Sequence, residues 1–182
     1  MPKPTQKSYV PTHREFLVEF APGEYSSSLK SLKAFKAGQI MAVLKGLTTK
    51  AKKAYTSVQC GRGPYDHIEL NNDLVYINHS CEPNVAFDLS SPNMSKWNLR
   101  ALKDIRPGDT LTFFYPSTEW DMDQSFSCEC GTASCLGTIQ GAKYLSKSAI
   151  QARGFVSPWI QSLVSERDAR NAKSSEKVLS RL

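Results

Sequence analysis

Between residues 39 and 115 the apolar residues come in short runs, each closed by glycine, proline or a polar turn. That punctuation suits short strands and leaves no room for a long helix. Residues 39–44 form a nearly continuous apolar run, the pattern of a buried strand. Residues 55–59 are rich in strand formers. Val85, Phe87 and Leu89 alternate with Ala86 and Asp88, and Trp97, Leu99 and Ala101 with Asn98 and Arg100. Both sets read as half-buried strands. Residues 110–115 read as another, entered through Arg106-Pro107-Gly108-Asp109, the centre of a type II turn. Ala37-Gly38 punctuates the chain in a similar way.

Helical spacing is concentrated at the end. Ser157 and Pro158 read as an N-cap and first helical position. Trp159/Leu163 and Ile160/Val164 follow at helical intervals, and a polar stretch begins at Ser165, so this helix is expected to pack two turns and then fray. Short helices are expected around Asp73–Tyr76. No internal repeat is read. The fold class is mainly β, an α+β arrangement with a C-terminal helix.

Composition narrows the function classes. A chain of 182 residues, 40% hydrophobic and 22% charged, fits one domain with an ordinary core. Wholesale disorder, collagen and coiled coil are excluded on the same grounds. No run approaches the ~18 apolar residues of a membrane span. Met1-Pro2-Lys3-Pro4 opens no apolar signal segment, so a reducing compartment is expected. There, five cysteines point to metal or chemistry rather than disulfides. Lysine and arginine number 23 against 17 acidic residues, a net +6. The basic groups Lys30/Lys33/Lys36 and Lys50/Lys52/Lys53 do not interleave with aromatics, so they read as a solvated face rather than a direct nucleic-acid platform.

Two segments carry chemistry. Cys128-x-Cys130-x4-Cys135 places three thiols in a glycine-containing loop, one short of the four ligands a tetrahedral zinc site takes. Cys60 and Cys81 are the remaining thiols, and buried free cysteine is the plain alternative. The other segment is Asn78-His79-Ser80-Cys81-Glu82-Pro83-Asn84, a polar run after apolar Leu74-Val75-Tyr76-Ile77. A serine beside a histidine in sequence is no triad, because triad partners meet in space.

These residues resemble the signatures of SET-domain protein lysine methyltransferases. Asn78-His-Ser-Cys-Glu-Pro-Asn84 is similar to one signature, Gly108-Asp-Thr-Leu-Thr-Phe-Phe-Tyr115 to a second, and the cysteine loop to the family's post-SET zinc loop. All three stand in the family's order and cover roughly residues 16–145. The resemblance implies a β-rich SET fold of short sheets with a knot-like substructure. It implies an N-terminal arm (1–15), a SET domain (16–120), a post-SET zinc loop (121–145) and a C-terminal helix and polar tail (146–182). It implies S-adenosylmethionine as cofactor, held by Asn78, His79, Tyr76 and Tyr115. Tyr115 would be catalytic, orienting the amine, and Phe113 would widen the lysine channel beside it. The family's fourth zinc ligand maps onto Cys81, giving Cys81, Cys128, Cys130 and Cys135 around a structural Zn2+, with Cys60 left over. The implied reaction is methyl transfer to a lysine of a protein or peptide, histone or non-histone, by a monomer in nucleus or cytoplasm.

The chain departs from the family at named positions. The usual Gly-x-Gly turn becomes Ser26-Ser27-Ser28, the Tyr-x-Gly becomes Leu44-Lys45-Gly46, and Phe114 replaces an aspartate. These departures support an alternative, an altered SET scaffold acting as a binding module or on a small molecule. The acidic run Glu119-Trp120-Asp121-Met122-Asp123 has two readings, a plain exposed loop, which is the commoner meaning, or a patch that draws a cationic peptide to the channel mouth. The last residues, Ser180-Arg181-Leu182, resemble the Ser-Lys-Leu peroxisomal address and set a peroxisomal location beside the other two.

Overall fold

The computed structural model describes residues 6–23 and 25–179, and of residues 176–179 only the backbone. The C-terminal Ser180-Arg181-Leu182 therefore lies outside the described residues. Twelve short strands, none longer than four residues, make up five small sheets among the described residues. β1 (Phe16–Glu19) pairs antiparallel with β2 (Ser28–Ser31). β3 (Ile40–Val43), β9 (Asn98–Ala101) and β8 (Val85–Asp88) form an antiparallel sheet in that order. β4 (Thr48–Thr49), β6 (His67–Glu69) and β5 (Ser57–Gln59) form another. β7 (Asn78–His79) runs parallel to β10 (Thr112–Phe113), and β11 (Phe126–Ser127) pairs with β12 (Thr138–Ile139). Two helices close the chain, α1 (Lys147–Gln151) and α2 (Pro158–Leu179). The class is mainly β, as the punctuation of the sequence requires.

One apolar core unites the sheets. Leu29, Phe87, Leu99 and Leu111 are fully buried in it, and Ile150, Ile160 and Val164 bring the C-terminal helices onto it. β8 and β9 bury Val85, Phe87, Leu99 and Ala101 as expected, but Ala86 and Asn98 are buried as well, so only Asp88 and Arg100 reach partial exposure and the strands are not half-buried. Asp73–Tyr76 forms a short 3-10 helix, begun by the Asn72 side chain accepting the Leu74 N–H at 3.0 Å.

Four further local expectations need correction. Residues 39–44 are not a buried strand: β3 is an edge strand, with Met41 buried but Ile40 54% and Val43 40% exposed. The strand expected over 110–115 is confined to Thr112–Phe113, because Tyr115 opens a 3-10 turn (Tyr115–Ser117) whose Pro116 has no N–H to give a ladder. Helix α2 does not fray after two turns. Its later residues are helix formers, and Arg167 anchors it to the carbonyls of Ala142, Lys143 and Leu145. Ser157 precedes it, yet its buried hydroxyl finds no hydrogen-bond partner and so supplies no side-chain cap.

The expectation of no internal repeat also needs correction, since two eight-residue segments with few identities form matched turns. Ser31-Leu-Lys-Ala-Phe-Lys-Ala-Gly38 and Ala101-Leu-Lys-Asp-Ile-Arg-Pro-Gly108 share the same turn, with Gly38 at φ 85° and Gly108 at φ 92°. Each contributes to the other's backbone bonds. Phe35 and Ile105 exchange both N–H···O bonds, at 3.0 and 2.8 Å. Ser31 accepts from Gly108 N, and Ala101 accepts from Gly38 N. The two turns are thus related by a local two-fold, with Ser31, Ala101 and Ile105 buried and the turn residues themselves largely exposed.

Candidate active site and cysteine cluster

The parallel pair β7–β10 sets the Asn78-His79 segment beside the strand that leads to Tyr115. Ser80 N donates to Phe113 O at 3.1 Å, and Asn84 and Thr112 are tied both ways, so the two signature segments are joined along their length. Tyr115 is partly buried among rings: Phe113 at 4.6 Å, His79 at 5.2 Å and Phe126 at 6.0 Å between centroids. Its hydroxyl donates to Ile77 O at 3.3 Å, and its backbone N–H donates to His79 Nδ1 at 3.2 Å. Burial, and then the charge of Glu119, raise the phenol well above its ordinary range, so it stays protonated.

His79 accepts at Nδ1, which places its proton on Nε2, 3.5 Å from Cys81 Sγ. Burial, with the Arg153 charge behind it, presses His79 down to about 4, so the ring is neutral at pH 7. Asn78 Nδ2 donates to Ser27 O at 2.9 Å, which seats the 26–28 segment against β7. Just before it, Tyr25 adopts φ 64°, a costly conformation for a bulky residue, and its ring meets Tyr55 edge-on at 5.4 Å. Tyr76 is buried in an aromatic cluster with Tyr9 and Phe20. Phe113 packs between Phe87 and Tyr115.

The fold brings Cys81, Cys128, Cys130 and Cys135 together, their sulfur atoms all within 4.8 Å of one another. Cys81 and Cys128 are 3.9 Å apart. Two N–H groups face Cys81 Sγ, that of Leu136 at 3.3 Å and Nε2 of His79. Burial holds the Cys81 thiol above its ordinary range, and the Leu136 N–H opposes that shift. A second layer holds the loop: Arg153 donates to Ser134 Oγ and Ser134 O at 2.5 and 2.8 Å, and the Ser134 hydroxyl donates to Glu82 at 2.9 Å. Cys60 stands apart, half-buried in β5's continuation, with burial pushing its thiol up to about 11.

Sequence reasoning misplaces one group and overlooks others. Glu119 is not part of an exposed acidic loop: it is 8% exposed, with its carboxylate on the backbone N–H of Gln59 at 2.6 Å. Asp73 is buried and clamps the N-terminal arm, accepting from Tyr9 OH, Thr12 N and His13 N. Phe126 covers Tyr115 from the cysteine loop. Its position two residues before Cys128 was the available signal. The basic groups behave as a solvated face, with Lys30, Lys33 and Lys36 paired to Glu19, Glu15 and Asp104.

Comparison with known proteins places the chain in a family. The family model described as SET domain matches residues 14–116. Methyltransferase flvH of Aspergillus flavus is 41% identical over 180 residues, which cover 97% of this chain and 96% of that protein. Histone-lysine N-methyltransferase, H3 lysine-4 specific, of Emericella nidulans is 41% identical over 66 residues, 35% of this chain and 5% of that protein. Among solved structures, the methyltransferase domain of human Histone-lysine N-methyltransferase SETMAR is similar at a TM-score of 0.48 and 19% identity, covering 66% of this chain and 56% of that one.

Proposed function

This chain belongs to the SET domain family, and on that premise we propose that it transfers the methyl group of S-adenosylmethionine to a lysine side chain of a protein or peptide. One observation carries the reading. Tyr115, with a protonated hydroxyl inside a ring of Phe113, His79 and Phe126, stands beside the Asn78-His79 strand.

When bound, S-adenosylmethionine supplies an electrophilic sulfonium methyl. The residues present fit it: the Asn78 amide and the 26–28 backbone offer polar partners, and the aromatic wall keeps water from a sulfonium. The chain's own work is alignment. A hydroxyl that stays protonated orients a nucleophile by hydrogen bonding rather than by taking its proton. Burial among rings favours the neutral form of an incoming amine. Phe113 in place of a hydroxylated residue leaves the channel beside Tyr115 apolar.

The four cysteines fit zinc. Zn–S bonds of about 2.3 Å in a tetrahedron put sulfurs just under 4 Å apart, close to the spacing of Cys81 and Cys128. Four thiolates leave no open position, so the metal is structural. It would tie residues 126–139 to Cys81 and hold Phe126 over Tyr115.

The test is calorimetric titration with S-adenosylmethionine, followed by turnover of Tyr115→Phe on core histones. Binding in the micromolar range is expected, with the variant losing a factor of roughly 10²–10³ in rate, as for other preorganised donors. Turnover equal to wild type in that variant would place the chemistry elsewhere. A second reading, an altered scaffold without lysine methylation, is favoured by the 26–28 segment, where serines replace the family's glycines. Absence of cofactor binding in a zinc-loaded protein would favour it.

A further inference from the structure

The fold treats its two basic groups differently. Lys30, Lys33 and Lys36 are each held by an acid of this chain, Glu19, Glu15 and Asp104, at 2.8, 3.2 and 2.7 Å. Residues 45–65 carry Lys45, Lys50, Lys52, Lys53 and Arg62 and no aspartate or glutamate. Arg62 pairs with Glu166 on α2. None of the four lysines enters an ion pair among the described residues. Lys45, Lys50 and Lys52 are exposed, and Lys53 is half-buried. The acids next in sequence have other partners: Glu69 accepts the Thr56 hydroxyl at 3.0 Å, and Asp66 accepts Gly63 N at 2.7 Å. Lys50 also takes φ 54°, the left-handed region in which glycine or asparagine is less strained. The turn after β4 keeps a lysine there despite that strain.

These lysines stand on the sheet that is fastened to both segments of the candidate site. β4 pairs with β6, and Ala51 N donates to His67 O at 3.0 Å, so the lysine segment follows the sheet edge. β5 of the same sheet is clasped to the Tyr115 segment. Gln59 N donates to Glu119 Oε1 at 2.6 Å, Trp120 N donates to Gln59 Oε1 at 2.8 Å, and Glu119 N donates to Tyr115 O at 3.0 Å. Tyr55, two residues after Lys53, meets Tyr25 edge-on at 5.4 Å, and both rings are exposed. Ser27, two residues after Tyr25, accepts Asn78 Nδ2 at 2.9 Å. The acids that follow Tyr115 do not offset the lysines. Glu119 is buried, and Asp121 accepts Lys143 Nζ and Tyr144 OH at 2.9 and 3.0 Å. The exposed acids Asp123 and Glu129 belong to the cysteine-loop segment. The 45–55 segment thus offers free cations beside two exposed rings. Four cations spread over residues 45–53 suit a partner with several negative charges better than a single carboxylate.

We propose that the 45–55 segment, with Tyr25, is the docking surface for an acidic peptide, so that the lysine presented to Tyr115 is one flanked by glutamates and aspartates. This rests on the methyl-transfer reading and narrows its substrate class, since a strongly basic tail is repelled by the same surface. Free lysines without the forks of arginine, and rings standing edge-on rather than as an open stack, favour a peptide over a nucleic acid.

The experiment uses the full chain and two fluorescent peptides of equal length, each with one central lysine, one flanked by glutamates and the other by arginines. Anisotropy titrations at low salt should show the glutamate peptide binding about tenfold more tightly, the sum of a few exposed pairs. Salt at about 0.5 M should remove most of that preference. Lys50→Glu with Lys52→Glu should abolish it. Lys33→Glu with Lys36→Glu makes the same change in net charge at paired lysines and should retain most of it. Circular dichroism checks that both double variants melt as wild type does. Equal binding of the two peptides, or equal loss in the two double variants, would overturn the assignment. So would an oligothymidine of matched charge that binds more tightly than the glutamate peptide, which would make the surface a nucleic-acid platform. Calorimetry with S-adenosylmethionine separates the two readings. Cofactor binding without a preference between the peptides sinks the docking surface alone, and a salt-sensitive preference without cofactor binding supports the surface while sinking methyl transfer.

Discussion

The site has two flanks built in opposite ways. On the cysteine flank, segments distant in sequence converge: Cys81, the 128–136 loop, Glu82 and Arg153 are cross-linked through sulfur, hydroxyl and guanidinium contacts. On the serine flank, Gly23, Tyr25 and Ser26 are exposed and Ser27 and Ser28 half-buried. There Ser28 pairs with Glu19 in the β1–β2 ladder, the Asn78 amide donates to Ser27 O, and Ala21 N makes a long contact with Ser27 Oγ at 3.4 Å. The difference teaches that one flank is over-determined and the other is adjustable. The cysteine flank fixes where Tyr115 stands, whereas the serine flank can vary in sequence without disturbing it.

The largest effect should come from the over-determined side. Cys81→Ser, or removal of metal by a chelator, is expected to lower the melting midpoint by about 10 °C or more and to expose the amides of residues 126–139 to hydrogen exchange. Metal analysis of the native protein should give about one zinc per chain, and Cys60→Ser should retain it. A folded, protected loop in metal-free protein would break the comparison.

Between the flanks, Glu119 makes a pH-dependent contribution whose sign is fixed. Its folded value of about 7 lies above the 4.5 of an ordinary glutamate, so the native state binds the extra proton. Its contribution to stability is full below pH 4.5 and is lost as pH rises through about 7. The loss is on the order of 3 kcal/mol. Denaturant midpoints of wild type and Glu119→Gln across that window should diverge by this slope, and parallel curves would remove Glu119 from the account.

The adjustable side should respond more weakly. Asn78→Ala removes one half-buried donor and should cost about 1 kcal/mol of stability while loosening S-adenosylmethionine binding about tenfold. An equal loss of zinc would show that the flanks are not independent. The smallest effect is expected from restoring glycine at Ser26 and Ser28, which should tighten cofactor binding a few-fold by easing backbone approach. Unchanged affinity would mean that the 26–28 backbone does not meet the cofactor.

Legibility in the sequence followed the range of the interaction that decides each feature. Alternation in β8 and β9 is local, and the strands appear where period two puts them. The 128–135 thiols are local too, but Cys81 joins them from another segment, and only the resemblance to a family brought it in. Glu119 misleads because a run of acids looks solvated. Its carboxylate is taken up by Gln59, sixty residues earlier in the chain, a contact no local pattern shows. Helix α2 outlasts its apolar stripe because Arg167 reaches three carbonyls and Arg62 pairs with Glu166, contacts that periodicity does not encode. The repeat at 31–38 and 101–108 shares few identities and becomes visible through its matched hydrogen bonds.

That repeat has a consequence for synthesis. Each turn presents backbone groups that the other must satisfy, and they stand at a constant offset, 101 against 31 and 108 against 38. As the chain leaves the ribosome, the first turn emerges with its partner still untranslated. It must wait several seconds at ordinary elongation rates of about 5–20 residues per second. Closing so long a loop has an entropic cost before any contact offsets it. The paired turns can therefore close only after Gly108 has been made.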